Sequence, residues 1–235
     1  KGIAITSVDA TNGTWYYTTN GGTTWTAVGA VSNTSALLLA DNASTRLYFS
    51  PGANYNGTSA AALTLRAWDQ TSGSAGTKVD TSTNGGTTAF SSATDVIDVT
   101  VTAVNDAPVN VVPGAQTVAE DTPLAIPGVS VSDVDGNLST TQVSVTNGTL
   151  TVNLAGGATI SAGANGTGTL TLSGTQAQIN AALATLSYQG NLNFNGADVL
   201  TVVSTDSNAV ADTDTVAITV TSVNDAPVNV VPGAQ

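Results

Sequence analysis

Thirteen residues, Val104–Gln116 (VNDAPVNVVPGAQ), recur without change as Val223–Gln235, 119 positions further on. A chain with such a repeat is a tandem array, and its units share one topology. The match extends upstream. Asp95–Val104 (DVIDVTVTAV) answers Asp214–Val223 (DTVAITVTSV), Asn54-Tyr55-Asn56-Gly57 answers Asn193-Phe194-Asn195-Gly196, and Leu63–Asp69 (LTLRAWD) answers Leu200–Asp206 (LTVVSTD). The expected organisation is a domain over 1–103, a linker at 104–108, a second domain over 109–222, and at 223–235 a second linker with the first strand of a further repeat. Lys1-Gly2 without an initiator Met reads as the start of a window on a longer protein.

Alternation makes both domains β. In Asp214–Thr221, Val216, Ile218 and Val220 fall on one face and Thr on the other. Trp15-Tyr16-Tyr17, Asn20-Gly21-Gly22 and Thr24-Trp25-Thr26 read as a hairpin whose turn needs positive φ. Thr175–Leu186 departs, with helical Ala and Leu spacing and Thr175 as cap. The expected fold is therefore all-β: two tandem β-sandwiches end to end as a rod of roughly 80 Å, with one short helix in domain 2. The chain between Asp69 and Asp95 is far longer than its counterpart between Asp206 and Asp214. Domain 1 thus carries an insertion within 70–94, read as a long hairpin loop. Gly2–Val8 is aligned with Leu124–Ser132, which leaves domain 1 without its first strand.

Missing residue types exclude whole chemistries. The chain has no Cys and no His, hence no disulfide, thiolate, histidine-ligated metal or Ser-His-Asp triad. The expectation is a protein that is not an enzyme. The four cations, Lys1, Arg46, Arg66 and Lys78, all precede residue 79, whereas residues 104–235 hold ten acids and neither Lys nor Arg. Phosphate binding needs cations, so nucleic acid is not a partner. No apolar run approaches the roughly 20 residues that a membrane-spanning helix needs, so no membrane insertion is expected. The three Trp and most Tyr and Phe are read as core or strand-facing, with a sugar-stacking platform as the rival reading.

The acids of domain 2 are placed for metal. Asp133 and Asp135 (SDVDGN) follow its second strand, Asp206, Asp212 and Asp214 bracket the last hairpin turn, and Asn105 and Asp106 enter from the linker. In an immunoglobulin-like sandwich these loops share one end. Carboxylates crowded without a cation oppose one another's ionisation, and a divalent ion removes the conflict. Ca²⁺ suits oxygen ligands in flexible geometry, while transition metals prefer the absent His and Cys. The EF-hand pattern fails, because Gly136 comes one place early and Ser144 stands at position twelve. A second, half-built site is expected at the far end, where Glu120, Asn224 and Asp225 meet, with Asn195.

These motifs resemble a known family. Val104–Val109 (VNDAPV) is similar to the D-x-N-D-N-A-P linker of cadherins, Asp133-x-Asp135 to their D-x-D, Thr205-Asp206-Ser207 to their x-D-x, and Ala119-Glu120-Asp121 to their x-E-x. AEDTPL, DVDG, NFNG and VNDAPV together resemble cadherin-like repeats of giant bacterial surface adhesins of the RTX type. The resemblance implies an extracellular, bacterial cell-surface location and a spacer role in cell adhesion. It also implies Ca²⁺ at each junction, with neighbouring repeats of the same polypeptide or copies of itself as partners. Two rival readings stand beside it: a filament subunit that polymerises by donating Val228–Gln235 as a strand, and a module that binds a cell-surface glycan or protein.

Overall fold

The computed structural model describes residues 1–227 and Asn229. The chain divides into two compact units, Lys1–Val104 and Asn105–Gln235. The strand donor expected at Val228–Gln235 lies outside the described residues, Asn229 apart.

Unit 1 holds β1 (Gly2–Val8), β2 (Gly13–Thr18), β3 (Thr26–Ala27), β4 (Ala36–Ala40), β5 (Arg46–Pro51), β6 (Gly57–Trp68), β7 (Lys78–Val79) and β8 (Asp95–Val101). They form a five-stranded sheet, β7-β4-β1-β6-β8, and a three-stranded one, β3-β2-β5. Ile5, Leu37, Leu39 and Leu63 from the first sheet meet Trp15, Tyr17, Leu47 and Phe49 from the second to make the core.

Unit 2 holds β9 (Val109–Val111), β10 (Gln116–Ala119), β11 (Leu124–Ala125), β12 (Ser130–Ser132), β13 (Leu138–Ser144), β14 (Gly148–Thr151), β15 (Thr159–Gly163), β16 (Thr169–Ser173), α1 (Gln176–Leu183), β17 (Ser187–Gly190), β18 (Gly196–Asp206) and β19 (Ala211–Thr221). The sheet β10-β19-β18-β13-β16-β15 faces β11-β17-β14, and β12 pairs with β9. Val143, Leu170, Leu172, Leu200, Val202, Val216 and Ile218 pack against Leu150, Tyr188 and the helix residues Ile179, Ala182 and Leu183. Both units are thus all-β, immunoglobulin-like sandwiches.

Local expectations hold. Val216, Ile218 and Val220 are buried on one face of β19. The Asn20–Gly22 turn has φ of +75° at Gly21 and +99° at Gly22 and brings β3 onto β2. Thr175 caps α1, and Gln178 completes a capping box. The paired NxNG loops share one backbone, with φ of 59° at Asn54 and 56° at Asn193.

Two expectations are corrected. Gly2–Val8 does not take the place of Leu124–Ser132. β1 lies between β4 and β6 as β13 lies between β16 and β18, with Gly2 opposite Trp68 where Thr140 is opposite Thr205. The first strand described in unit 1 is therefore the equivalent of β13. The turn that follows confirms this register. Thr11-Asn12-Gly13-Thr14 answers Thr146-Asn147-Gly148-Thr149, and in both places a Cβ on the glycine would run into the facing strand, at Ser50 O and at Gln189 O. The 70–94 insertion is also more than a loop. Lys78–Val79 becomes the edge strand β7 on β4, and Ala89 and Phe90 pack with Ala4, Leu38 and Trp68 on the outer face of the large sheet. Burying that apolar face is why the segment is ordered.

Candidate metal centre

The linker docks on two loops of unit 2, and helix α1 fixes one of them. Asn180 Nδ2 donates to Val131 O and its Oδ1 accepts from Val131 N, both at 2.8 Å, which holds β12. Gln176 Oε1 accepts from Asp133 N at 2.8 Å. Beyond that anchor the chain turns at Gly136, φ +69°, and Asp133 Oδ1 accepts from Asp135 N at 2.9 Å. The second loop closes the β18–β19 hairpin. Asp206 Oδ1 accepts from Asn208 N and Val210 N at 2.8 Å, with Ala209 at φ +64°. Ser207 N donates to Asn137 O at 3.0 Å and ties the loops together.

Asn105 is the hub. Its Nδ2 donates to Asp206 Oδ2 at 2.7 Å, and its Oδ1 accepts from Asn137 Nδ2 at 2.8 Å and Asn208 Nδ2 at 2.7 Å. The next amide, Asp106 N, donates to Asp135 Oδ2 at 2.7 Å. Asp133 and Asp206 are buried, and Asp106 and Asp135 are exposed. The structure therefore joins Asn105, Asp106, Asp133, Asp135 and Asp206, with Asp106 contributing its N–H. It also brings in Asn137 and Asn208, which the sequence reading passed over although they sit in the same DVDGN and TDSN motifs.

One contact in this network has no hydrogen to fill it. Asn137 Oδ1 faces both oxygens of Asp133, at 3.0 and 3.1 Å. Turning the amide makes Nδ2 the donor to Asp133 but sets Asn137 Oδ1 against Asn105 Oδ1 at 2.8 Å. Turning Asn105 as well sets its oxygen against Asp206 Oδ2, which its Nδ2 otherwise satisfies. Reassigning the amides moves the unfavourable pair from Asn137–Asp133 to Asn137–Asn105 or Asn105–Asp206. Among the described residues, however, no group of three or more acidic side chains is arranged to hold a metal ion. Any cation here would draw on the amide oxygens of Asn105 and Asn137 beside no more than two carboxylates.

Two expected ligands stand apart. Asp212 Oδ2 accepts from Asn110 N at 2.8 Å, and Asn110 Oδ1 accepts from Ser204 Oγ at 2.6 Å, so this carboxylate fastens β9 to the β18–β19 pair. Asp214 is opposite Val202, four residues along β18 from Asp206, or about 13 Å at the rise of an extended strand. Alternation keeps both on the inner side of the hairpin, but the ladder carries Asp214 away from the loop. At the other end, the buried Glu120 accepts from Val223 N at 2.5 Å and from Asn195 Nδ2 at 3.4 Å. The second linker thus meets Glu120 through its backbone. Asn224 Nδ2 turns to Asp225 O at 3.3 Å, as Asn105 Nδ2 does to Asp106 O at 3.2 Å.

Hydrogen bonds from Asn105 first, then from the Val210 and Asn208 amides, hold the Asp206 carboxyl below the usual carboxylate range, against the opposing effect of burial. A depressed folded pKa stabilises above the unfolded value and is lost as pH falls through the folded one. Asp206 should therefore support unit 2 fully above about pH 4 and fail below it. In urea titrations of the parent and Asp206→Asn, the stability gap between them should stay constant from pH 7 to 5 and close below pH 4.

The model of the "Protein GAMETE EXPRESSED 2" domain matches residues 128–215, a stretch inside unit 2 that includes Asp133, Asp135 and Asp206. No curated protein matches the chain. Among solved structures, a chain from the structures of Clostridium thermocellum CbhA fibronectin(III)-like modules aligns over 92% of this chain and 83% of that one, at 14% identity and a TM-score of 0.29. No helix among the described residues is long and apolar enough to cross a membrane.

Proposed function

We propose that the chain is a pair of cadherin-like spacer repeats from a large extracellular surface protein, an adhesin that holds a functional tip away from its cell, and that Ca²⁺ stiffens its linkers. The observation that carries this reading is the convergence of Asp133, Asp135, Asp206 and Asn137 on Asn105 and Asp106, where the linker docks. Asp133 and Asp206, with the amide oxygens of Asn137 and Asn105, would hold the ion, and it would supply the positive charge that unit 2 lacks altogether. Their role is mechanical. The cluster's hydrogen bonds hold Asn105 and Asp106 on the loops of unit 2, and Pro108 restricts the backbone that follows. Glu120, Asn224 and Asp225 would repeat the arrangement with a neighbouring repeat.

Hydrogen exchange of the linker tests this. The Asp106 amide, bonded to Asp135, should exchange at least tenfold more slowly in millimolar Ca²⁺ than in chelator, with Mg²⁺ giving a much smaller effect. Equal exchange in Ca²⁺ and chelator throughout residues 103–110 would remove the support for a calcium-set linker.

A further inference from the structure

The outer face of the β3-β2-β5 sheet carries a feature the spacer reading does not use. Trp15 and Trp68 are buried, but Trp25 is 43% exposed and Tyr48 52% exposed. Tyr16 lies directly opposite Tyr48 in the ladder, with ring centres 6.4 Å apart, and Trp25 reaches across to Tyr48 at 5.8 Å with its plane inclined by 62°. With Ser50 these three rings line an open cleft of about 440 Å³.

The cleft is built in advance. Thr18 is buried, and its Oγ1 donates to Asn20 Oδ1 and accepts from Gly22 N. Asn20 in turn holds Thr24 by N–H and hydroxyl. This network sets Trp25 on its platform, so little ordering remains for binding to cost. Tyr17, Tyr55 and Tyr188 all hydrogen-bond within the protein. Among the described residues nothing pairs with the hydroxyls of Tyr16, Tyr48 or Ser50.

Size and charge restrict the occupant. A stable protein interface takes roughly 20–30 residues a side, far more than the four here. Arg46 shares the outer face, two residues from Tyr48, and opposes a cation among the rings. Six acids outnumber the four cations of unit 1, and the lining itself carries no charge to pair with an anion. A neutral ligand remains, with apolar faces for the rings and groups that both give and accept hydrogen bonds for three free hydroxyls. A proline-rich segment offers the faces but few donors. We infer that Tyr16, Trp25, Tyr48 and Ser50 form a binding site for a neutral saccharide. This inference is independent of the calcium reading.

Native gels cast with neutral polysaccharides (hydroxyethylcellulose, galactomannan, arabinoxylan, dextran and β-1,3-glucan) test it on the full chain. At least one should retard the protein, and oligosaccharides from that polymer should shift the fluorescence of Trp25. Trp25→Ala and Tyr48→Ala should each weaken retardation at least tenfold, and Tyr48→Phe, which keeps the ring, should weaken it less. Circular dichroism of the variants should match the parent, since Trp25 and Tyr48 lie outside the core. No retardation by any polymer, retardation unchanged in Trp25→Ala, or a Trp25 response to decaproline or choline in place of sugar would overturn the inference.

Discussion

Replacing Asp198 by Ala should destabilise unit 2 by about 3–5 kcal/mol, the cost of removing one partner from a buried, hydrogen-bonded charge. Asp198 is 4% exposed and gathers four donors: Thr146 N at 3.2 Å, Asn147 N at 2.9 Å, Val199 N at 2.9 Å and Tyr188 Oη at 3.1 Å. Two of these belong to the turn that takes the chain from one sheet to the other, and the fourth is the largest fully buried side chain. Burial, then the Asp198 charge, raises the Tyr188 phenol, so it stays a donor at every ordinary pH. Alanine takes the carboxylate from all four donors and leaves Tyr188 Oη only the long bond to Asn147 O at 3.5 Å. Asp198→Asn should cost about half as much, because Oδ1 keeps its two amides while Nδ2 opposes Asn147 N. Tyr188→Phe removes one donor with its bond and should cost about 1–2 kcal/mol. Urea unfolding followed by far-ultraviolet circular dichroism reads all three.

Asp198 also marks where sequence stops being legible. Its counterpart is Ser59, opposite Val99 as Asp198 is opposite Ile218, so the repeat offered no second acid, and an acid in an alternating strand reads as solvent-facing. Its burial depends on the turn at Thr146 and Asn147, far from it along the chain. The strands, by contrast, follow from period-two patterns that local sterics enforce, and Thr175 with Gln178 announces the helix. The position of β1 was legible but was misread. The short TNGT match identifies it, whereas aligning Gly2–Val8 with Leu124–Ser132 followed hydrophobicity alone, which any strand satisfies. At the candidate metal centre, Asn105, Asp133, Asp135 and Asp206 were legible because linker and loops meet at one end of a sandwich. Asn137 and Asn208 were not, since asparagine in a turn serves the backbone as often as a ligand. Asp212 was out of reach of sequence because its partner, Asn110, arrives from a strand 102 residues away.

The second large effect expected is that of calcium on the proposed site in unit 2. Sites of extracellular modules bind at roughly 10⁻⁴–10⁻³ M, so 10 mM Ca²⁺ should add about 1.4–2.7 kcal/mol by mass action. For a unit of this size that is roughly 5–10 °C in melting temperature. Asp133→Ala and Asp206→Ala should each abolish the increment, and Asp214→Ala should leave it intact, which separates the linker cluster from general screening of an acidic chain. Unit 1 supplies an internal reference. Its Asp9 and Asp69 carboxylates are already taken by Thr11 and Thr71, which hold both below the usual carboxylate range. All three Trp residues belong to unit 1, and unit 2 has none. Trp fluorescence therefore follows unit 1, while circular dichroism follows both.

The most direct test is a thermal melt of the intact chain recorded by both signals, in chelator, in 10 mM Mg²⁺ and in 10 mM Ca²⁺. A calcium-held linker predicts that Ca²⁺ alone moves the transition seen only by circular dichroism up by roughly 5–10 °C and leaves the Trp transition within about 1 °C. Superimposable melts in Ca²⁺ and chelator, or an equal shift with Mg²⁺, would contradict it.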